Sequence, residues 1–92
     1  MTNEEIAAMF NDIAGMLNQK QENIYKIKAY DKVANSIREL KEPVTKLAAE
    51  NRLREIPGVG DATEKKLKEI VETGKLEYYE KLKAEFPGRV KA

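Results

Sequence analysis

The apolar residues of this chain recur every three or four positions, the spacing of one face of an α-helix. The opening TNEE has the form of a capping box, with Thr2 as the N-cap and Glu5 three positions later. A first helix is therefore predicted to run to about Leu17 or Asn18. Its apolar face consists of Ile6, Phe10, Ile13 and Leu17.

A polar linker, NQKQEN, separates this helix from a second helix with a long apolar face. That face is predicted to contain Ile24, Ile27, Tyr30, Val33, Ala34, Ile37 and Leu40. Pro43 suits the first turn of a third helix, because no backbone N–H is needed there. The apolar positions of the third helix are Val44, Leu47 and Ala48.

Two more helices are predicted after residue 60. Leu53 and Ile56 precede Pro-Gly-Val-Gly, and a helix then runs to Thr73-Gly74, a typical C-terminal cap. A last helix is expected to end before Pro87-Gly88, and residues 88–92 are expected to fray. The apolar positions of the last helix are Leu76, Tyr79 and Leu82, and Tyr78 is expected to be exposed.

Composition narrows the function classes. The chain has no cysteine and no histidine, which excludes a disulfide scaffold, the usual zinc sites and histidine acid–base catalysis. No apolar run approaches the length of a membrane span, and no signal peptide is visible, so an intracellular, cytoplasmic protein without a membrane partner is expected. The formal net charge of +1 leaves the partner open.

The stretch IPGVGDATEKKLKEI carries the candidate chemistry. Glycines permit a positive φ and remove the Cβ atoms that would keep another chain from the backbone. The backbone of Gly58, Val59, Gly60, Asp61 and Ala62 would then present free N–H groups at a helix N-terminus, where an anion such as a DNA phosphate is favoured. Additional cations would come from Arg54, Lys65, Lys66 and Lys68. The alternative is a plain turn between two packed helices.

These elements predict an all-α protein, a single domain over residues 1–92. The expected architecture is a compact bundle of four to five short helices. A helix-hairpin-helix motif is predicted at about residues 53–73. On the second helix, Lys28, Lys32 and Arg38 are expected to form salt bridges on a solvent face that also carries Asp31 and Glu39.

Two longer segments, ENIYKIKAYDKVANSIREL and REIPGVGDATEKKLKEIVETGKLEYYEKLKAEFP, resemble the N-terminal domain of family X DNA polymerases over residues 3–87. The resemblance implies a monomeric DNA-repair module that binds single-stranded or gapped DNA and its 5′-phosphate without reading sequence. It also implies either a covalently linked polymerase domain in the native protein or a stand-alone relative. The polymerase residues of the family lie further along, so this chain is not expected to polymerise.

Some members of that family cleave abasic sugar phosphate through a Schiff-base lysine, whose position corresponds to Lys66. The resemblance also places Tyr30 near the lyase site and Lys26 on a phosphate. Arg54 corresponds to the basic residue before the hairpin. No cofactor is required, but the family hairpin binds a monovalent cation, Na⁺ or K⁺. The implied ligands are the backbone carbonyls of Arg54, Ile56 and Val59.

The chain departs from the family lyase at several positions. Ala62 replaces a phosphate-binding lysine, Tyr25 replaces a histidine, and Glu64 replaces a small residue. Asp61 places a carboxylate at the helix start, where it can cap the helix but also repels DNA. Three functions therefore stay open at this point: a DNA-binding module, an abasic-site lyase, and a helical protein-interaction module without DNA binding.

Overall fold

The computed structural model describes residues 1–85, and all its regular structure in that range is helical. The expected all-α class is confirmed. Five α-helices and one 3₁₀ turn follow one another within residues 1–85. They are α1 (Asn3–Gln19), α2 (Ile24–Glu39), α3 (Val44–Ala49), the 3₁₀ turn (Leu53–Glu55), α4 (Asp61–Thr73) and α5 (Glu77–Ala84). No helix in the described range is long and apolar enough to cross a membrane.

The predicted capping box at the start of α1 is present. The Glu5 N–H donates to Thr2 Oγ1 at 3.1 Å, and the Thr2 N–H donates to Glu5 Oε1 at 2.8 Å. The helix continues one or two residues beyond the predicted end. A tight turn follows, in which Gln21 adopts a φ of 60° and the Glu22 N–H donates to the Leu17 carbonyl at 3.0 Å.

The apolar faces of α1 and α2 form most of the core. Every residue predicted on the α1 face is buried, and so are the central positions of α2. Ile24 departs from the prediction, because 51% of its surface is exposed. It is the first residue of α2, next to the connection from α1, where little chain is available to cover it. The buried residues of α2 are Ile27, Tyr30, Val33, Ala34 and Ile37.

The start of α3 is tied to the start of α1 through Asn3. The Asn3 side chain donates to the Glu42 carbonyl at 2.9 Å and accepts from the Val44 N–H at 2.8 Å. Pro43 is the N-cap residue of α3 and precedes its first turn. This bridge satisfies a free N–H of a short helix that has no side-chain cap of its own.

The last two helices close the core from the other side. Gly74 ends α4 with a φ of 75°, which confirms the predicted C-terminal cap. On α5 the Tyr79 hydroxyl donates to Asp12 Oδ2 of α1 at 2.8 Å. Partial burial and this bond raise the pKa of Tyr79 to about 12. Pro87-Gly88 and the expected frayed tail, residues 88–92, lie outside the described residues.

Candidate nucleic-acid interface

The hairpin is a tight backbone turn between the 3₁₀ turn and α4. The Ile56 N–H donates to the Leu53 carbonyl at 3.1 Å, and the Val59 N–H donates to the Ile56 carbonyl at 3.1 Å. Pro57 lies inside the second of these turns, where its fixed φ suits the bend. The side chains of Leu53 and Ile56 are buried, so both ends of the turn are anchored in the core.

Gly58 allows the chain to bend and to approach α2. Its φ is +93°, a conformation that side chains disfavour. A Cβ at Gly58 would also lie 3.3 Å from Cγ of Lys32 and 3.3 Å from Cγ2 of Val33. The hairpin therefore rests directly on α2, and both requirements select glycine at this position.

Gly60 has a different role from Gly58. Its φ of −114° and ψ of −164° are extended values that any residue adopts. A Cβ at Gly60 would meet no atom within 4 Å. Only the first glycine therefore uses the left-handed backbone region. The second leaves open space in front of the chain.

The first N–H groups of α4 lie beside this open space. Gly60 is the N-cap of α4 and provides no side-chain cap. Within residues 1–85, the N–H groups of Gly60, Asp61 and Ala62 donate to no backbone or side-chain acceptor. An unpaired helix N-terminus carries partial positive charge, and α4 is 13 residues long. The arrangement suits an anion that approaches across Gly60.

Arg54 is held by two carboxylates at the start of α4. Its guanidinium forms one ion pair with Asp61 and another with Glu64, where Nε and Oε1 are 3.3 Å apart. Asp61 is the first residue of α4 and does not cap the helix, although a carboxylate at the helix start can do so. A phosphate would have to displace these carboxylates to reach Arg54. We call Arg54, Asp61 and Glu64 the hairpin ion-pair triad.

The basic residues of α4 do not lie on one face. Lys68 lines a cleft of about 330 Å³ between α3 and α4, together with Val71 and Glu72. Lys66 is two positions earlier, so it projects in another direction. Lys65 is exposed. The cations predicted around one phosphate are therefore divided between different sides of the helix.

Lys66 and Lys26 share one aromatic ring, that of Tyr78. Nζ of Lys66 lies 5.0 Å from the ring centroid, and Nζ of Lys26 lies 5.8 Å from it. The Tyr78 ring stacks on Tyr30, with centroids 6.2 Å apart and planes inclined by 13°. We call these four residues the tyrosine–lysine cluster. Helices α2 and α4 thus bring together the residues that the resemblance assigns to a lyase site, and α5 adds Tyr78.

Tyr78 is the member of this cluster that the sequence did not predict. It is half-buried against the core, so the expectation of an exposed Tyr78 is wrong. The stack continues inward, because Tyr30 meets Phe10 edge-on with centroids 5.7 Å apart. Adjacent tyrosines on α5 gave no signal of this contact, which depends on how α5 packs against α2.

The cluster changes the proton affinity of two of its members. Burial lowers the pKa of Lys66, and the charge of Lys26 lowers it further, whereas Glu69 opposes the shift. Burial raises the pKa of Tyr30, and Tyr78 adds to the rise. Lys66 therefore loses its proton more readily than an ordinary lysine, and Tyr30 remains a neutral phenol.

The backbone carbonyls implied as cation ligands differ in their hydrogen bonding. Within residues 1–85 the carbonyls of Arg54 and Val59 accept no hydrogen bond, whereas that of Ile56 accepts the Val59 N–H. Each has a lone pair left for a cation. Side chains offer no alternative in the described range, where no three acidic, histidine or cysteine residues converge.

The expected salt bridges along α2 are only partly present. Arg38 pairs with Glu4 of α1 at 3.0 Å, not with a carboxylate of its own helix. Lys28 and Lys32 have no carboxylate partner within residues 1–85. The alkyl chain of Lys32 instead faces Gly58 of the hairpin. Sequence reasoning missed this contact because it joins distant parts of the chain.

Comparison with known protein families gives one match. Residues 1–76 match the family described as helix-hairpin-helix domain. Comparison with curated proteins gave no match. The matched range includes α1 to α4 and the hairpin, and it ends before Tyr78. The hairpin and its supporting helices are therefore the shared part, and the aromatic ring that faces the two lysines lies outside it.

Proposed function

The chain belongs to the helix-hairpin-helix domain family, and we propose that it binds the sugar–phosphate backbone of DNA without reading base sequence. The observation that carries this proposal is the unpaired N-terminus of α4. Three successive N–H groups, from Gly60 to Ala62, lack acceptors beside an open space. A phosphate oxygen is the acceptor that this geometry and the helix dipole favour.

The finer proposal is that the DNA is single-stranded or gapped and carries a 5′-phosphate. It rests on the resemblance to the N-terminal domain of family X DNA polymerases, as part of a polymerase or as a stand-alone relative. A terminal phosphate carries more charge than an internal one and needs more cations. Lys26 and Lys66, whose ammonium groups approach one ring, are the pair that supports this preference.

A salt-dependent titration tests both levels of the proposal. Fluorescence anisotropy with labelled gapped DNA should give an affinity that falls steeply with salt, because each phosphate contact releases a counterion. The 5′-phosphorylated duplex should bind more tightly than the same duplex with a 5′-hydroxyl. Shuffling the base sequence should leave the affinity unchanged.

The matched variants are Gly60→Val and Gly15→Val. Both glycines have room for a side chain, but Gly15 lies on α1. Gly60→Val should weaken DNA binding while the protein stays folded, because the new side chain stands in the path of the phosphate. Gly15→Val should bind as the parent protein does. No salt-dependent binding by the parent would support the protein-interaction alternative. Equal binding by both variants would remove the α4 N-terminus from the DNA interface.

A second candidate activity is an abasic-site lyase, and the lowered pKa of Lys66 favours it. A neutral amine attacks the C1′ aldehyde, water leaves, and an imine forms. Loss of a proton from the neighbouring carbon then expels the phosphate oxygen from the next carbon along, and water releases the lysine. Lys26 contributes by its charge, and Tyr30 and Tyr78 form the aromatic wall of the site.

Borohydride trapping tests the lyase directly. Incubation with DNA that carries a 5′ abasic sugar phosphate, followed by reduction, should yield a covalent adduct. Lys66→Ala should abolish the adduct, and Lys65→Ala, a change at the adjacent exposed lysine, should retain it. DNA binding without any adduct would eliminate the lyase and leave the binding function intact.

A monovalent cation at the hairpin is the last part of the proposal. The carbonyls of Arg54, Ile56 and Val59 would hold Na⁺ or K⁺, and the ion would add positive charge beside the α4 amides. DNA affinity measured at constant ionic strength should then be higher in potassium or sodium chloride than in tetramethylammonium chloride. Equal affinities would remove the cation from the mechanism.

A further inference from the structure

We propose that Lys32 of α2 is a further phosphate-binding residue of the hairpin, an inference that rests on the proposed DNA-binding function. Gly58 brings the hairpin against the alkyl chain of this lysine. Cγ and Cδ of Lys32 lie 3.3 Å and 3.4 Å from the place where a Cβ of Gly58 would be. Two bonds separate Cδ from the ammonium nitrogen, so the charge stays beside the hairpin whichever rotamer they adopt.

The charge of Lys32 is close enough to act on a phosphate at the start of α4. Gly58 and Gly60 are two residues apart, so their Cα atoms are separated by at most about 7.6 Å. That span is below the Debye length of about 10 Å at 0.1 M salt, so a charge beside Gly58 is only partly screened from an anion at Gly60. The same phosphate, or the next one along the strand, lies within its field.

Lys32 is also free to bind, in contrast to the arginine of the hairpin. Within residues 1–85 no carboxylate pairs with Lys32. Arg54, the basic residue nearest in sequence to the hairpin, is engaged by Asp61 and Glu64. A phosphate reaches the Lys32 charge without displacing any group of the protein. The lysine therefore compensates for a hairpin arginine that is already neutralised.

The test compares Lys32→Gln with Lys28→Gln. Glutamine keeps Cγ and Cδ, so the contact with the hairpin is preserved and only the charge is lost. Lys28 is one turn earlier on the same helix, is also exposed, and is not among the atoms nearest to Gly58. The two variants have the same net charge and differ only in their distance from the hairpin. Circular dichroism and thermal melts establish that both are folded.

Titration with a 5′-phosphorylated gapped duplex and with a single-stranded oligonucleotide gives the readout. Lys32→Gln should reduce the magnitude of the slope of log affinity against log salt by about 0.7–0.9. Over a tenfold increase in salt, the variant should therefore lose about fivefold to eightfold less affinity than the parent protein. Lys28→Gln should leave the slope unchanged. Equal slopes for the two variants would overturn the role of Lys32 while leaving DNA binding standing. Absence of salt-dependent binding by the parent protein would overturn both.

Discussion

The hairpin ion-pair triad and the tyrosine–lysine cluster both place cations beside α4, but they treat positive charge in opposite ways. In the triad, Arg54 is opposed by two carboxylates. In the cluster, two ammonium groups face the same tyrosine ring, and within residues 1–85 only Glu69 adds an opposing charge to Lys66. The positive charge of the first centre is more than offset by its two carboxylates, whereas the second centre retains an excess of positive charge.

The difference shows that the groups around a basic residue decide whether its charge is available to bind a phosphate. Arg54 directly precedes the hairpin in sequence, yet a phosphate must compete with Asp61 and Glu64 to reach it. Lys26 is far from the hairpin in sequence, yet its charge acts on Lys66. Electrostatic availability, rather than closeness to the glycines along the chain, distinguishes the two centres.

The largest expected effect comes from breaking the aromatic support of the cluster. Tyr30→Ala removes a buried ring between Phe10 and Tyr78, and should lower the free energy of unfolding by about 3–5 kcal/mol. Tyr30→Phe keeps both ring contacts and should cost much less. Urea denaturation followed by circular dichroism measures both. Equal losses in the two variants would mean that the hydroxyl, not the ring, stabilises this site.

The next effect separates the two glycines of the hairpin. Gly58→Ala forces a side chain into a φ of +93° and against Lys32 and Val33, and should lower the free energy of unfolding by about 1–3 kcal/mol. Gly60→Ala introduces a Cβ into open space at an extended backbone position, so a loss of about 1 kcal/mol or less is expected. Urea midpoints check the order. A larger loss at Gly60 would contradict the division of roles.

A smaller effect is expected from releasing Arg54. Asp61→Asn removes one of its ion pairs and a carboxylate that faces the phosphate site, and should tighten DNA binding by up to about fivefold, the equivalent of about 1 kcal/mol. Glu4→Gln breaks another arginine–carboxylate pair, on α1, with the same change in net charge. A titration at constant salt should show a clearly smaller gain for Glu4→Gln. Equal gains would mean that net charge alone matters.

The smallest effect concerns the pKa of Lys66. Folding disfavours the charged form of Lys66 and so lowers its pKa. The free energy of unfolding therefore increases as the pH rises from the pKa of Lys66 in the folded protein to the ordinary pKa of a lysine. Lys26→Gln removes one of the causes, so the pKa of Lys66 should rise and that pH window should narrow. Side-chain NMR of ¹³Cε-labelled lysine follows the titration. Lys28→Gln, with the same charge change on α2, should have less effect.

The regular elements of this protein follow from local patterns. The capping box at Thr2, the apolar spacing of α1 and the glycine cap at Gly74 depend on residues that are close together in sequence, and each was predicted. The exposure of Ile24 was not predicted, because the spacing of apolar residues does not show where the partner helix ends. Helix ends are therefore the weakest part of the sequence-based fold.

The site was less predictable because it depends on contacts between distant segments. The resemblance brought Lys26, Tyr30 and Lys66 together, and these residues do gather around one ring. Tyr78 was expected to be exposed, and the contact of Lys32 with Gly58 was not predicted, since neither two adjacent tyrosines nor a lysine among acidic residues indicates the long-range neighbour. Asp61 is able to cap α4 by its position in the sequence, but in the structure it pairs with Arg54 instead.

The stacked tyrosines also give the protein an optical signal. The sequence contains no tryptophan and four tyrosines, and two of the four form the stack at the candidate site. Ultraviolet emission from the folded protein is therefore mainly that of tyrosine, without a stronger fluorophore to mask it. Movement of Lys26 or Lys66 away from the Tyr78 ring, on binding a phosphate, would alter that emission. The protein thus contains a label-free probe of its own candidate interface.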